Sequence, residues 1–272
     1  MENIADITVV RSLLNKYDLK AKKKYGQNFL IDEKVVNDIV SEVENDSFVI
    51  EIGPGLGALT QKLIDKCHKV IAYEIDEDMV NILNDNFSDK NNVEIRNRDV
   101  REIDLSEVIR ERGDRDCYIV SNLPYYITTD LLNQIFMSSE EVRKVVVMMQ
   151  KEVGQRFVSS TDKKNYNVVN VLADLYSEYG IVCKANRHSF FPAPNVDSVV
   201  LKFEMKEHEV DHEFIEFVKD CFINRRKVLL SVLKQRGYEV SEELFNKLGF
   251  KESVRVEELS SKDILRMYEA LK

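Results

Sequence analysis

The chain has 272 residues, and 39 Lys and Arg against 48 Asp and Glu leave a formal net charge of −9. That length admits one large domain, or one large and one small. The acidic balance argues against indiscriminate nucleic-acid binding, so any such contact must be local.

Hydrophobic residues at 44% are enough for an ordinary globular core. No apolar run is long enough to cross a bilayer and no leader pattern opens the chain, so a soluble, cytoplasmic protein is expected. Cys67, Cys117, Cys183 and Cys221 are scattered with no CxxC pair and read as reduced thiols. His208 and His212 stand four apart without a third ligand beyond ordinary acids, and no metal site is expected.

The first basic cluster is Lys16, Lys20, Lys22, Lys23 and Lys24, interrupted only by Asp18. It follows an amphipathic helix predicted around residues 8–14. Next comes Tyr25-Gly26-Gln27-Asn28-Phe29-Leu30-Ile31-Asp32. Gly26 permits a tight turn, Gln27 and Asn28 supply amide donors and acceptors, and Asp32 is placed to cap a helix. That helix carries Val35, Val36, Ile39 and Val40 at helical spacing.

Phe48-Val49-Ile50-Glu51-Ile52 reads as a buried strand. It runs straight into Gly53-Pro54-Gly55-Leu56-Gly57 and a helix to about residue 66. The spacing is GxGxG with a proline inside, distinct from the dinucleotide fingerprint GxGxxG. A strand over 69–73 then ends in Glu74-Ile75-Asp76, about 20 residues beyond the turn, where a carboxylate suits both hydroxyls of a ribose. A helix over 76–86 and a strand over 93–95 lead to Asp99, placed to accept a hydrogen bond from an adenine amino group.

Strand 117–121, helix 128–137 and strand 144–149 repeat the alternation, which implies a parallel sheet with right-handed crossovers. Glu74, Asp99 and Asn122 thus fall at successive strand ends beside the glycine turn, outlining a nucleoside-shaped pocket. No phosphate-binding lysine follows the glycines, which disfavours ATP. Asn122 opens Asn122-Leu123-Pro124-Tyr125-Tyr126. An Asn carbonyl and backbone carbonyls beside a rigid proline can accept both hydrogens of an exocyclic amine, and an adjacent aromatic ring can stack on its base.

Helices are predicted over 150–158 and 168–179, separated by the polar loop 159–165. Strands 181–183 and 198–203 close the sheet as a hairpin-like pair. Between them, Phe190-Phe191-Pro192-Ala193-Pro194 makes a stiff loop whose Phe190 can form the second face of a stacking slot with Tyr125. Beyond residue 206 only helices are predicted, at 212–223, 225–235, 241–248 and 260–271. They form a small all-α domain of roughly 65 residues, 207–272, beside a larger domain of 1–206. The second basic cluster, Arg225, Arg226, Lys227, Lys234 and Arg236, lies there, and helix 225–235 is expected to project it outward.

In order and spacing these motifs, from residues 25–30 through Asn122–Tyr125 to Arg225-Arg226-Lys227, resemble one family over nearly the whole chain. It is the ribosomal RNA adenine dimethyltransferases, Rossmann-like α/β enzymes that use S-adenosyl-L-methionine and carry a small C-terminal all-α domain. The glycine turn and Asn122-Leu123-Pro124-Tyr125 resemble the bacterial small-subunit branch linked to kasugamycin resistance. Relatives that modify large-subunit RNA and confer macrolide resistance typically carry a GSGKG-like turn and NIPY.

The resemblance implies dimethylation at N6 of two adjacent adenosines in a hairpin near the 3′ end of 16S rRNA, within an immature small subunit, by a monomer. It implies that Asn28 and Leu30 contact the methionine end of the cofactor, that Gly53 and Gly55 approach it through the backbone, that Glu74 holds the ribose, that Asp99 holds the adenine amine and that Asn122 borders the cofactor as well as the target. Asn122 and the Leu123 carbonyl, beside Pro124, would orient the target amine, with Tyr125 and Phe190 stacking its base. Lys22, Lys23, Lys24, Arg225, Arg226, Lys227, Lys234 and Arg236 are the candidate RNA contacts. Val228 departs from the Thr usual after the basic triplet. The rival readings are a large-subunit enzyme, a ribosome-assembly factor that only binds, and a small-molecule methyltransferase.

Overall fold

The structure, a computed structural model, describes residues 2–122, 128–138, 141–158, 166–207 and 210–272. Asp6 caps α1 (Ile7–Lys16) by accepting the Thr8 N–H at 2.6 Å. A two-residue strand, β1 (Phe29–Leu30), precedes α2 (Glu33–Ser41). Asp32 caps α2 as expected, and Val35, Val36, Ile39 and Val40 form its buried face. Then come β2 (Phe48–Ile52), α3 (Ala58–Ile64), β3 (Lys69–Glu74), α4 (Glu77–Asn86) and β4 (Val93–Asn97). The series continues with α5 (Leu105–Arg110), β5 (Cys117–Ser121), α6 (Thr128–Ser138), β6 (Val142–Gln150), α7 (Lys151–Val158) and α8 (Val168–Tyr176). After α8 come β7 (Ser177–Ala185), β8 (Phe190–Phe191) and β9 (Ser198–Met205). The chain ends in α9 (His212–Phe222), α10 (Leu229–Gln235), α11 (Glu242–Lys247) and α12 (Ser261–Glu269).

Seven strands form one sheet in the order β4-β3-β2-β5-β6-β9-β7. The first five are mutually parallel; β9 runs antiparallel to both β6 and β7. Every residue of β2 and of β5 is buried, as strands covered on both faces must be. Side chains alternate between two cores, because successive Cβ atoms point to opposite faces. Phe48, Ile50 and Ile52 face a core shared with α5, α6, α8 and the C-terminal helices. Val49 faces the other, shared with α1, α2, α3, α4, β1 and β8. Each fully buried aliphatic contributes roughly 1.5–3 kcal/mol, so neither face can be left open. The strand order reverses between β2 and β5, and open sheets bind ligands outside the carboxyl ends of the strands at such a reversal.

The C-terminal helices join the first core through α8. The Tyr176 ring meets Phe214 edge-on at 6.5 Å, and Ser261 Oγ donates to Asp174 Oδ2 at 2.6 Å. Among the described residues no helix is long and apolar enough to cross a membrane.

The structure corrects several expectations. The helix expected over 168–179 stops at Tyr176, where Ser177 Oγ donates to the Ala173 carbonyl at 2.7 Å. Residues 177–179 belong to β7, paired Ser177 with Met205 and Tyr179 with Phe203. The long ladder with β9 outweighs local helix preference, and Tyr179 packs against Phe157 and Phe203. The helix expected over 225–235 begins only at Leu229, whose N–H donates to the Val254 carbonyl at 2.8 Å. Arg225, Arg226 and Lys227 therefore occupy the turn before α10. Gln150 ends β6 instead of starting a helix, and α5 is an element the sequence reading lacked.

Candidate functional site

Three strand ends and two loops meet at the switch point. Leaving β2, Gly53, Gly55 and Gly57 all have positive φ, at 70°, 58° and 96°, so the backbone turns as only glycine does without strain. A Cβ on Gly57 would stand 2.8 Å from the Phe87 ring, and one on Gly55 3.3 Å from Phe29. The turn is anchored by Gly53 N–H donating to the Tyr73 carbonyl at 2.9 Å. Gly55 N–H donates to Glu74 Oε2 at 3.1 Å.

Glu74 ends β3, and its other oxygen, Oε1, accepts the Asp76 N–H at 2.9 Å. The carboxylate is thus oriented by backbone donors while each oxygen keeps a lone pair. Burial raises its pKa above the ordinary carboxylate value, and those two N–H groups oppose the shift. Asp99 lies two residues beyond β4. The Arg101 guanidinium holds its carboxyl below the ordinary value, with Arg101 Nε at 3.0 Å from Oδ1 and an Nη nitrogen at 2.5 Å from Oδ2. Asn122 follows β5 directly, and that strand end is tied to β2 by Ser121 Oγ donating to the Ile52 carbonyl at 2.9 Å.

The opposite wall comes from the N-terminal motif. Asn28 Nδ2 donates to the Gly26 carbonyl at 2.8 Å across a turn in which Gly26 has φ 62°. β1 pairs antiparallel with β8, Phe29 with Phe191 and Leu30 with Phe190. Asp32 adds a second tie, accepting Ser189 Oγ at 2.7 Å. These two short strands fix buried Phe190 against the cleft.

Asn28, Leu30, Gly53, Gly55, Glu74, Asp99, Asn122 and Phe190 accordingly line one cleft. Leu123, Pro124 and Tyr125 lie outside the described residues. Tyr25, Gln27, Ile75 and Arg98 line the same cleft and were not singled out as site residues; Ile75 stands next to Glu74 and is 42% exposed. Its place directly after the strand-end carboxylate was the available signal. Arg101 was missed because its partner is two residues away across a 3₁₀ turn that the sequence does not announce. Beneath the glycine turn, Glu51 is buried and its pKa is pushed up to about 8 by burial, with Thr60 partly opposing.

The basic residues divide. Arg225, Arg226 and Lys227 line a shallow surface concavity with Phe222, Ile223 and Asn224, and Ile223 is 55% exposed. Lys234 is exposed on α10. Arg236 is engaged by Asp220 at 2.8 Å, and Lys22 is engaged by Asp76 and Asp78. Lys24 sits over the Tyr25 ring, 4.3 Å from its centroid. The side chain of Lys23 lies outside what the structure describes.

A sheet of this order, with its last strand inserted antiparallel and a glycine turn facing two strand-end acids, is the class I methyltransferase fold. The model of the ribosomal RNA adenine dimethylase family matches residues 18–272, and the chain belongs to that family. It is 37% identical over 259 residues to the ribosomal RNA small subunit methyltransferase A of Mycoplasma capricolum, covering 92% of this chain and 97% of that one. To the protein of the same name from Streptococcus thermophilus it is 38% identical over 285 aligned positions, covering 99% and 98%. The crystal structure of a dimethyladenosine transferase from Plasmodium falciparum superposes with a TM-score of 0.71 at 25% identity, covering 88% of this chain and 95% of that one. The 23S rRNA methyltransferase ErmE shares the fold, with a TM-score of 0.66 at 24% identity over 90% and 99% of the two chains.

Proposed function

We propose that this chain transfers methyl groups from S-adenosyl-L-methionine to N6 of two adjacent adenosines in a hairpin near the 3′ end of 16S rRNA. The observation that carries this reading is Asn122, held at the end of β5 on the same cleft as the glycine turn, Glu74 and Asp99. The small-subunit assignment is supported by the two bacterial relatives, similar over almost their entire length and named for the small subunit. The large-subunit protein is similar in fold alone.

The residues fit an adenosyl ligand. Glu74, oriented by two N–H donors, suits a ribose diol, and Asp99 offers an acceptor for an adenine amine. Among the described residues lining the cleft no lysine stands at the glycine turn, and the lining cation, Arg98, adjoins Asp99 at the adenine end. When bound, S-adenosyl-L-methionine supplies a methyl group on a sulfonium, already activated for transfer. Asn28 and Leu30 would border its methionine end, while Gly53 and Gly55 present backbone.

Transfer then depends on the acceptor nitrogen. An adenine amine is conjugated with its ring and is a poor nucleophile; the Asn122 carbonyl and the Leu123 carbonyl, accepting its hydrogens, favour a pyramidal nitrogen with an available lone pair. Phe190 and Tyr125 would hold the flipped base by stacking. Proximity and orientation provide most of the acceleration; the N–C bond forms as the S–C bond breaks, and the acidic ammonium so formed at N6 loses its proton to water, so no strong base is needed. Asn, unlike Asp, keeps the site neutral for an amine that must be accepted a second time, already methylated. Residues 207–272, with the Arg225–Lys227 turn, would hold the RNA backbone, together with Lys23, Lys24 and Lys234.

Incubation of the protein with labelled cofactor and separately prepared undermethylated small and large subunits, followed by nucleoside analysis, tests this. Dimethyladenosine at two adjacent positions of small-subunit RNA is expected. Label in large-subunit RNA, or in neither, overturns the proposal.

A further inference from the structure

Lys22 belongs to a lysine run that on charge alone reads as a nucleic-acid contact. In the folded chain its ammonium group is 2.6 Å from Asp76 Oδ1 and also contacts Asp78. The Asp76 side chain is 3% exposed, and its other oxygen accepts Gln27 Nε2 at 2.7 Å. Gln27 in turn accepts the Lys22 N–H on Oε1 at 2.7 Å. The four groups form a closed ring of contacts between segment 22–27 and the N-terminus of α4.

That ring reaches the binding surface on two sides. Tyr25, Gly26, Gln27 and Asn28 form one wall of the cleft. On the other side, the Asp76 backbone N–H orients Glu74, and Glu74 receives Gly55 of the glycine turn. Beyond residue 28 the wall is anchored by the pairing of β1 with β8, and within it Asn28 Nδ2 ties to the Gly26 carbonyl. Its main-chain bonds within the segment are Tyr25 N–H and Gln27 N–H donating to the Lys22 carbonyl, at 3.1 and 3.5 Å. A nearly buried carboxylate such as Asp76 is costly without a cation. The need to compensate Asp76 is therefore what draws Lys22, and the segment behind it, onto α4.

We propose that Lys22 is a positioning residue of the methyltransferase cleft: its bond to Asp76 clasps segment 22–28 shut as the wall over the cofactor. This rests on the cofactor reading given above. It predicts that cofactor affinity depends on Lys22 while the rate of a saturated enzyme depends on it little. The lysine acts through Asp76 and Gln27 and touches no reacting atom. Arginine, which can also donate to both acids, should replace it; methionine, which keeps only the stem, should not.

The test compares the full-length wild type with Lys22→Met and Lys22→Arg. Amide hydrogen exchange over residues 20–28 is followed without cofactor, S-adenosyl-L-methionine binding by calorimetry, and KM and kcat on undermethylated small subunits. Lys22→Met is expected to accelerate exchange in that segment about tenfold or more, and to raise Kd and KM for the cofactor by about tenfold. Its kcat should fall less than about threefold, and Lys22→Arg should restore all of these. If Lys22→Met leaves exchange and cofactor Kd at wild-type values, the inference is overturned, and a loss of RNA affinity instead would make Lys22 an RNA contact. Failure of the wild type itself to bind the cofactor overturns the proposed function, a result distinct from either.

Discussion

The cleft at the strand ends and the turn before α10 are both candidate binding surfaces, and they are built in opposite ways. In the cleft the polar groups are already engaged, Glu74 by Gly55 and Asp76 and Asp99 by Arg101, and behind it Asp76 is held by Lys22 and Gln27. In the turn, Arg226 and Lys227 are exposed on a shallow surface beside an exposed isoleucine. Preorganised groups select a small ligand by shape and cost no reordering on binding, whereas exposed cations hold a polyanion with little regard to sequence. On the proposed reading, chemical selection and anchoring sit on separate surfaces, so each can be broken alone.

The largest expected effect is at Asn122. Asn122→Ala should lower transfer by roughly 10³-fold, the scale seen when one preorganised hydrogen-bonding group is removed from a reacting centre. Cofactor Kd by calorimetry should change less than about threefold, and unaltered transfer would remove Asn122 from the chemistry.

Beneath the cleft, Glu51 gives a stability effect of a few kcal/mol, at about 1.4 kcal/mol per pKa unit. Its pKa, pushed up to about 8 by burial from an ordinary 4.5, means the folded state holds a proton that the unfolded state releases. Its contribution is therefore complete below about pH 4.5 and is lost as pH rises through about 8. The difference in thermal midpoint between wild type and Glu51→Gln should shift in favour of the variant across that window; a pH-independent difference would contradict the buried, protonated carboxyl.

Replacing Arg225, Arg226 and Lys227 together by Gln should weaken binding to small-subunit RNA and reduce its salt slope by up to about 3, near 1 for each lost phosphate contact. Cofactor affinity, measured in parallel, should stay put. If it falls with RNA affinity, the two regions are not separate. The smallest effect is at Val228, the residue before α10, which makes no side-chain cap bond. Val228→Thr should add one, raising stability by up to about 1 kcal/mol in denaturant titration; half-buried Val228 also packs on the core, so a decrease would mean packing outweighs the cap.

The parallel sheet was legible because each buried strand is a short apolar run followed by a turn and an amphipathic helix. The cleft was legible because open α/β sheets form clefts outside their strand ends, so Gly53, Glu74, Asp99 and Asn122 could be placed on its lining by position. What could not be read depends on partners distant in sequence. β1 and β8 are two residues each, too short for any periodicity, and exist only because 29–30 and 190–191 meet. Ser177 to Tyr179 are strand because β9 lies alongside. The lysine run near the N-terminus looked uniform, yet Lys22 differs from its neighbours by having a buried acid 54 positions away. For the same reason the basic triplet was placed on a helix, when the start of α10 is decided by the Val254 carbonyl.

The pairing of Leu30 with Phe190 has a mechanical outcome. One residue borders the side where the methyl donor would lie and the other the side where the acceptor base would lie, and the β1–β8 pairing joins them directly. Occupancy of the two half-sites should then be thermodynamically linked, each ligand altering the other's affinity by the same factor.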